Sequence, residues 1–195
     1  MFKMVVLVSP SSAGKDAILK ELVDRKFVQP IVSTTSRDIR QGETNGIEYN
    51  FVDEETAISK LDSGDFIEHR LYKVQNNSTW IYGVEKGSFD VDKDVIYGVI
   101  LDFQGLKQME KYLYEIGKED SLISIYVDVS LQERLRRSIN REGTMDDLKC
   151  LEVCRRALDD DINVVPAKDY CDFVINNEGD FGNTINRILD IIQES

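Results

Sequence analysis

Met4-Val5-Val6-Leu7-Val8 is an unbroken apolar run, after which the period changes: Ala17, Ile18, Leu22 and Val23 recur at helical spacing. The first pattern predicts a strand buried on both faces, and the second an amphipathic helix over 14–25. Similar runs follow at Val95 to Leu101, Leu122 to Val127 and Phe173 to Ile175, separated by helical patterns at Leu106 to Ile116, Leu131 to Ile139, Leu148 to Ile162 and Ile185 to Ile192. Strand alternating with helix predicts an α/β fold of three layers, a mostly parallel sheet flanked by helices.

The stretch 33–89 breaks the rhythm. Ile47 to Val52, Phe66 to Leu71 and Trp80 to Val84 alternate with a period near two, between turn residues. They predict a strand-rich insertion into a core made of 1–32 and 90–195. Placed at the strand ends, such an insertion suits binding of a second substrate.

Length and charge narrow the choice of function. A chain of 195 residues buries enough surface for one domain with a small appended part. Its formal charge of −12 argues against nucleic-acid and anionic-membrane partners. A local arginine cluster still holds a small anion, because charges beyond about 8 Å are screened at physiological salt. Cys150, Cys154 and Cys171 make no secretory framework. Cys150 and Cys154 share a predicted helix face, but the only histidine, His69, is distant in sequence, so ordinary thiols are favoured over a metal site. The first apolar stretch is too short for a signal peptide or a membrane span, and a reducing cytoplasmic setting is expected.

The strand-to-helix turn Ser9-Pro10-Ser11-Ser12-Ala13-Gly14-Lys15-Asp16-Ala17 reads as a phosphate loop with two departures. Gly14 lets the main chain turn its amides toward a phosphate, Lys15 brings a point charge, and the helix beginning at 14 presents its positive end. Ser11, Ser12, Ala13, Gly14, Lys15, Asp16 and Ala17 are therefore the candidate ATP contacts. Ser9 stands where the motif has glycine, which costs about 1 kcal/mol if φ is positive there. Asp16 replaces a hydroxyl that would ligate magnesium; a carboxylate also binds the ion but adds negative charge beside the triphosphate.

Ser33 to Val52, "STTSRDIRQGETNGIEYNFV", resembles the GMP-binding signature of the guanylate kinases, with Ser33, Arg37, Arg40, Gly42-Glu43, Gly46, Tyr49 and Phe51 at the pattern's positions. Two guanidinium forks and a phenol converging on one point satisfy a monophosphate, which makes Arg37, Arg40 and Tyr49 the expected clamp. "GDFIEHR" resembles the element that places Glu68 on guanine, where a carboxylate accepts from the adjacent N1–H and N2–H₂. "IYGV" resembles a further element contributing Tyr82, Gly83 and residue 84, but Val84 lacks the hydroxyl that would donate to guanine O6, an omission worth about 1–3 kcal/mol unless water substitutes. The connection Lys73 to Thr79 is longer than the family's usual one.

"LDFQG" resembles the strand end that keeps an acidic residue, here Asp102, near nucleotide and metal; a helix N-cap is the alternative. "SLQERLRRSINREG" and Arg155-Arg156 resemble the family's mobile lid, about 134–155. The resemblance assigns phosphate or adenine contacts to Arg134 and Arg141 and a transfer-stage contact to Arg155, with Arg137 and Arg156 competing for the last two roles. "DYCDFVINNE" resembles a late strand of the family, which implies that Asn177 approaches the adenine.

Together these features imply a P-loop kinase that moves a phosphoryl group from ATP to GMP or dGMP with magnesium, Asp16 being the candidate metal contact. Lys15, Arg37, Arg134, Arg141 and Arg155 are its expected catalytic groups, and small nucleotides its partners. The same fold acting on another phosphorylated acceptor, and a non-catalytic guanylate-kinase-like module, are the alternatives. Oligomeric state is left open.

Overall fold

A computed structural model describes residues 2–40, 42–73 and 79–195. In chain order its elements are β1 (Lys3–Val8), α1 (Lys15–Asp24), β2 (Gln29–Pro30), β3 (Thr34–Thr35), β4 (Asn50–Phe51), α2 (Glu54–Asp62), β5 (Phe66–Lys73) and β6 (Thr79–Glu85). Then follow β7 (Ile96–Ile100), α3 (Phe103–Glu115), β8 (Leu122–Asp128), α4 (Leu131–Glu142), α5 (Asp147–Asn163), β9 (Phe173–Asn176) and α6 (Phe181–Glu194). The main sheet runs β2-β7-β1-β8-β9 with every pairing parallel.

The unbroken apolar character of β1 has its cause in this arrangement. Val5 and Leu7 pack with Ile18 and Leu22 of α1 and Ile185 and Ile188 of α6 on one face. Met4, Val6 and Val8 pack with Leu106, Met109 and Leu113 of α3 on the other. Helices on both faces leave no polar side to the strand, as the three-layer reading requires. Because the strands are parallel, the turns after β1, β7 and β9 open on one edge, and this gathers the phosphate loop, Asp102 and Asn177.

A second sheet, β4-β3-β6-β5, stands beside that edge. Strand β6 pairs antiparallel with both β3 and β5, whereas β3 pairs parallel with β4. Two sequence expectations are corrected within it. The strand expected over Ile47 to Val52 contracts to Asn50–Phe51, and a helix, α2, occupies a stretch expected to hold only strands and turns. The cause is local: the Asp53 carboxylate accepts from the Thr56 amide at 2.7 Å, Glu54 and Glu55 suit the positive end, and Ala57 and Leu61 pack with Phe66 and Ile81. Strand β2 was also unanticipated, since its two residues are exposed and make no apolar run.

No helix among the described residues is long and apolar enough to cross a membrane.

Candidate active site

The phosphate loop is tied down from the far end of the sheet. Gly14 caps α1 with φ +99°, a left-handed conformation, and a Cβ there would lie 2.6 Å from Asn177 Nδ2, so both backbone angle and space require glycine. Asn177 Nδ2 donates to the Ala13 carbonyl at 2.8 Å. Arg137, on α4, donates to the Asn177 carbonyl at 2.7 Å and to the Ala13 carbonyl at 3.4 Å. Ser12 has φ +63°, and its hydroxyl meets that of Ser138 at 2.7 Å. The strain anticipated at Ser9 falls instead on Ser12; Ser9 is buried outside the positive-φ region, its hydroxyl on the Pro10 carbonyl at 3.1 Å.

Lys15 and Asp16 open α1, with Lys15 Nζ 3.7 Å from Asp16 Oδ2; the Asp16 side chain is 83% exposed. Ala17 is exposed one residue on. A further carboxylate closes on the loop. Asp160, buried near the end of α5, accepts from the Ser11 amide at 2.8 Å and lies 3.5 Å from Arg134 Nη1. Burial pushes the Asp160 carboxyl up, against the Ser11 bond and the charges of Arg134 and Lys15.

On the second sheet Arg37 is buried and heavily engaged. Its guanidinium forks onto Glu43 at 3.0 and 2.9 Å, donates to Tyr82 Oη at 3.1 Å and to the Asp38 carbonyl at 2.6 Å, and faces the rings of Tyr49 and Phe51 at 5.5 and 5.4 Å. Arg40 is exposed, its amide on the same Glu43 carboxylate at 2.8 Å. The Arg37 hydrogen bond, outweighing partial burial, holds Glu43 below the usual carboxylate range. Ser33 is buried, its carbonyl accepting from the Asn50 amide.

Tyr49 meets Tyr82 edge to face at 5.6 Å, and Tyr82 meets Tyr72 at 5.5 Å. Burial raises the Tyr49 phenol, and the charges acting on it include Asp16 as well as Arg70 and Arg37. Tyr49 lies just before β4, and through Tyr82 its ring continues the aromatic row to Tyr72 of β5.

Glu68 is fully buried. Burial raises its carboxyl while Arg70 opposes the rise. Asp102 divides its oxygens: Oδ1 caps α3 by accepting from the Gly105 amide at 2.8 Å, and Oδ2 accepts from Tyr72 Oη at 3.2 Å. The helix-cap alternative for Asp102 is therefore met, and its other oxygen faces Tyr72 and Arg70. Gly83 sits where a Cβ would meet the Glu68 carbonyl and the Phe66 ring at 2.6 Å. Val84 is wholly buried in the cluster with Val8 and Leu101. The connection expected to be long, between Lys73 and Thr79, lies at 74–78 outside the described residues.

The α4–α5 arginines separate by position. Arg134 and Arg137 reach the loop's surroundings, whereas Arg141 is exposed in the last turn of α4 and Arg155 is exposed on α5, paired with Glu152 at 2.8 Å. Arg156 also pairs with Glu152 and lines a small cavity with Ser11, Arg134 and Asp160. Sequence reading missed Asp160 and Arg70, each of which looks like one more charge on a polar face.

A phosphate loop at the carboxyl edge of a parallel sheet, bordered by a second sheet carrying an arginine–tyrosine cluster, defines a nucleotide-dependent phosphoryl-transfer enzyme, a nucleoside monophosphate kinase. The family model for guanylate kinase matches residues 1–195, and the chain belongs to that family. It is 33% identical over 162 residues to a guanylate kinase of Chromohalobacter salexigens, covering 80% of this chain and 69% of the relative. A guanylate kinase of Prochlorococcus marinus is 27% identical over 192 residues, covering 98% and 97%. The crystal structure of guanylate kinase from Anaplasma phagocytophilum superimposes with a TM-score of 0.70 at 26% identity, covering 98% of this chain and 85% of that one.

Proposed function

We propose that the chain transfers the γ-phosphoryl group of ATP to GMP or dGMP. The observation that supports this reading is the contact of the second sheet with the carboxyl edge of the main one: Tyr72 Oη donates to Asp102 Oδ2 at 3.2 Å, and Arg70 Nε lies 3.9 Å from the same oxygen. Phosphoryl transfer asks for in-line approach and charge neutralisation, with no covalent enzyme intermediate.

The roles follow from position. Gly14 and Lys15 hold the donor phosphates at the helix head. Arg37, Arg40 and Tyr49 hold the acceptor phosphate; for that, Arg37 exchanges its fork on Glu43 for phosphate oxygens, which offer the same bidentate geometry. Glu68 accepts from the guanine N–H edge. Arg134 and Arg137 border the loop and add positive charge as transfer proceeds, and Arg141 and Arg155 reach the site only by movement of α4 and α5. We assign 33–89 to acceptor binding and about 134–155 to a lid whose closure excludes water.

Magnesium accompanies a triphosphate with several waters and needs only one or two protein carboxylates. Asp16, whose side chain is 83% exposed at the head of α1, is the carboxylate that would hold it. The ion would neutralise charge on the donor phosphates.

A different phosphorylated acceptor is the second reading, favoured by Val84, which is wholly buried in an apolar cluster and has no hydroxyl to offer guanine O6. Turnover of GMP, dGMP, IMP, AMP, CMP, UMP and sugar phosphates with magnesium–ATP separates the two. GMP and dGMP are expected as the preferred acceptors; activity confined to a non-guanine acceptor overturns the first reading.

A further inference from the structure

Glu68, Arg70 and Tyr72 lie at alternate positions of β5, so their side chains leave the strand on one face. Arg70 leans across its neighbour. Its Nη2 donates to Glu68 Oε1 at 3.3 Å, and its Nε lies 3.3 Å from Glu68 Oε2 and 3.9 Å from Asp102 Oδ2. Among the described residues, Glu68 Oε2 and Arg70 Nε are nevertheless buried without a hydrogen-bond partner. Gly105 leaves room for this arrangement, since a Cβ there would come within 2.9 Å of Glu68 Oε2.

Two facts give the cluster a ligand-directed sense. A guanidinium carries five N–H donors, and among the described residues Arg70 makes one hydrogen bond, to Glu68; its side chain keeps 16% of its surface exposed. These two atoms thus meet only as an ion pair at 3.3 Å, each without a hydrogen bond among the described residues. The 6-oxopurine edge has the opposite order, an N1–H donor beside a C6 carbonyl acceptor. Val84, the position the resemblance assigns to the carbonyl, has no hydroxyl and is buried in the apolar core.

We propose that Arg70 is a specificity-determining residue of the acceptor pocket, held against Glu68 and Asp102 until a purine enters and then donating to its 6-oxo group. The proposal rests on the GMP reading above and deepens it. The entering base takes over Glu68 through N1–H and N2–H₂, and the guanidinium released from that carboxylate turns its donors onto O6. Pairing with Asp102 keeps the cation in the pocket during the exchange. Adenine offers an amino group at C6, which repels a donor, so the same residue works against AMP.

The test compares GMP with 6-thioguanosine 5′-monophosphate, which keeps N1–H and the N2 amino group and replaces O6 with a weakly accepting sulfur, as acceptors for the parent, Arg70→Met and Arg70→Lys. The parent is expected to prefer GMP, and Arg70→Met to reduce the kcat/KM ratio by about tenfold or more, through a higher KM for GMP and little change for the analogue. Arg70→Lys, which keeps a charged donor, recovers part of the preference. Equal losses on both acceptors, or a ratio unchanged by the substitution, overturn the proposal. A parent that uses both acceptors equally overturns it without any variant, whatever the substitutions do to folding. A parent inactive on GMP but active on another nucleotide refutes the acceptor reading itself, and this proposal with it.

Discussion

Around the phosphate loop the polar groups close on one another through the backbone: Asn177 and Arg137 both hold the Ala13 carbonyl, and Asp160 holds the Ser11 amide. The region of the second sheet is instead built from side chains, with Arg37 forked on Glu43 and Arg70 laid on Glu68, where Arg70 Nε and Glu68 Oε2 meet as an ion pair with no hydrogen bond among the described residues. A backbone-built site depends on where the chain turns, so it absorbs Ser9 in place of glycine without left-handed geometry there. A side-chain-built site depends on which groups stand at each position, so one altered residue, Val84 or Arg70, changes what it can read.

The comparison breaks most clearly at Lys15. Lys15→Ala removes the point charge but no packing, and kcat should fall by about 10³-fold while circular dichroism is unchanged. Next is Glu43→Gln, which leaves a buried cation with a neutral partner; it should lower stability by about 2 kcal/mol. GMP should then raise the melting temperature of this variant more than that of the parent, because acceptor phosphate replaces the missing charge. Gly14→Ala should cost about 1–2 kcal/mol through its left-handed angle and its approach to Asn177, and weaken ATP binding measured by calorimetry.

The smallest expected effect is a pH trend. Burial holds Glu68 above its ordinary value of 4.5, so the native state keeps a proton that the unfolded chain has lost. Stability therefore falls as pH rises above 4.5 until Glu68 ionises in the fold, and Glu68→Gln removes this dependence. The melting temperature of the variant minus that of the parent should grow as pH rises above 4.5 and level off once Glu68 ionises in the fold, and the variant's preference for GMP over AMP should be weaker than the parent's. A constant difference would mean that Arg70 offsets the burial completely.

Legibility in the sequence followed the same division. The buried strands β1, β7 and β8 announced themselves because burial on both faces leaves an unbroken apolar run, and the phosphate loop because its spacing is fixed by backbone geometry. Strand β2 had no such signal, being two exposed residues held by neighbours in space. Helix α2 did have one, Asp53 followed by Glu54, Glu55 and apolar Ala57 and Leu61, obscured by the alternating stretches on either side. The clamp residues were visible as types and spacing, but the pairing of Arg37 with Glu43 depends on the turn between them. Arg70 was hidden for a related reason: on an alternating strand it looks like an outward-facing charge, and only the fold places α3 and Asp102 over that face. Asp160 reaches the loop from 149 residues away, a distance no local pattern reports.

A bisubstrate probe, adenosine and guanosine joined through five phosphates, tests most directly whether the two sites meet across one cleft. The account predicts inhibition competitive with both ATP and GMP, with tighter binding than either alone, and loss of that advantage in Arg37→Ala and in Lys15→Ala alike. Competition against only one substrate, or binding no tighter than that of a single nucleotide, would contradict it.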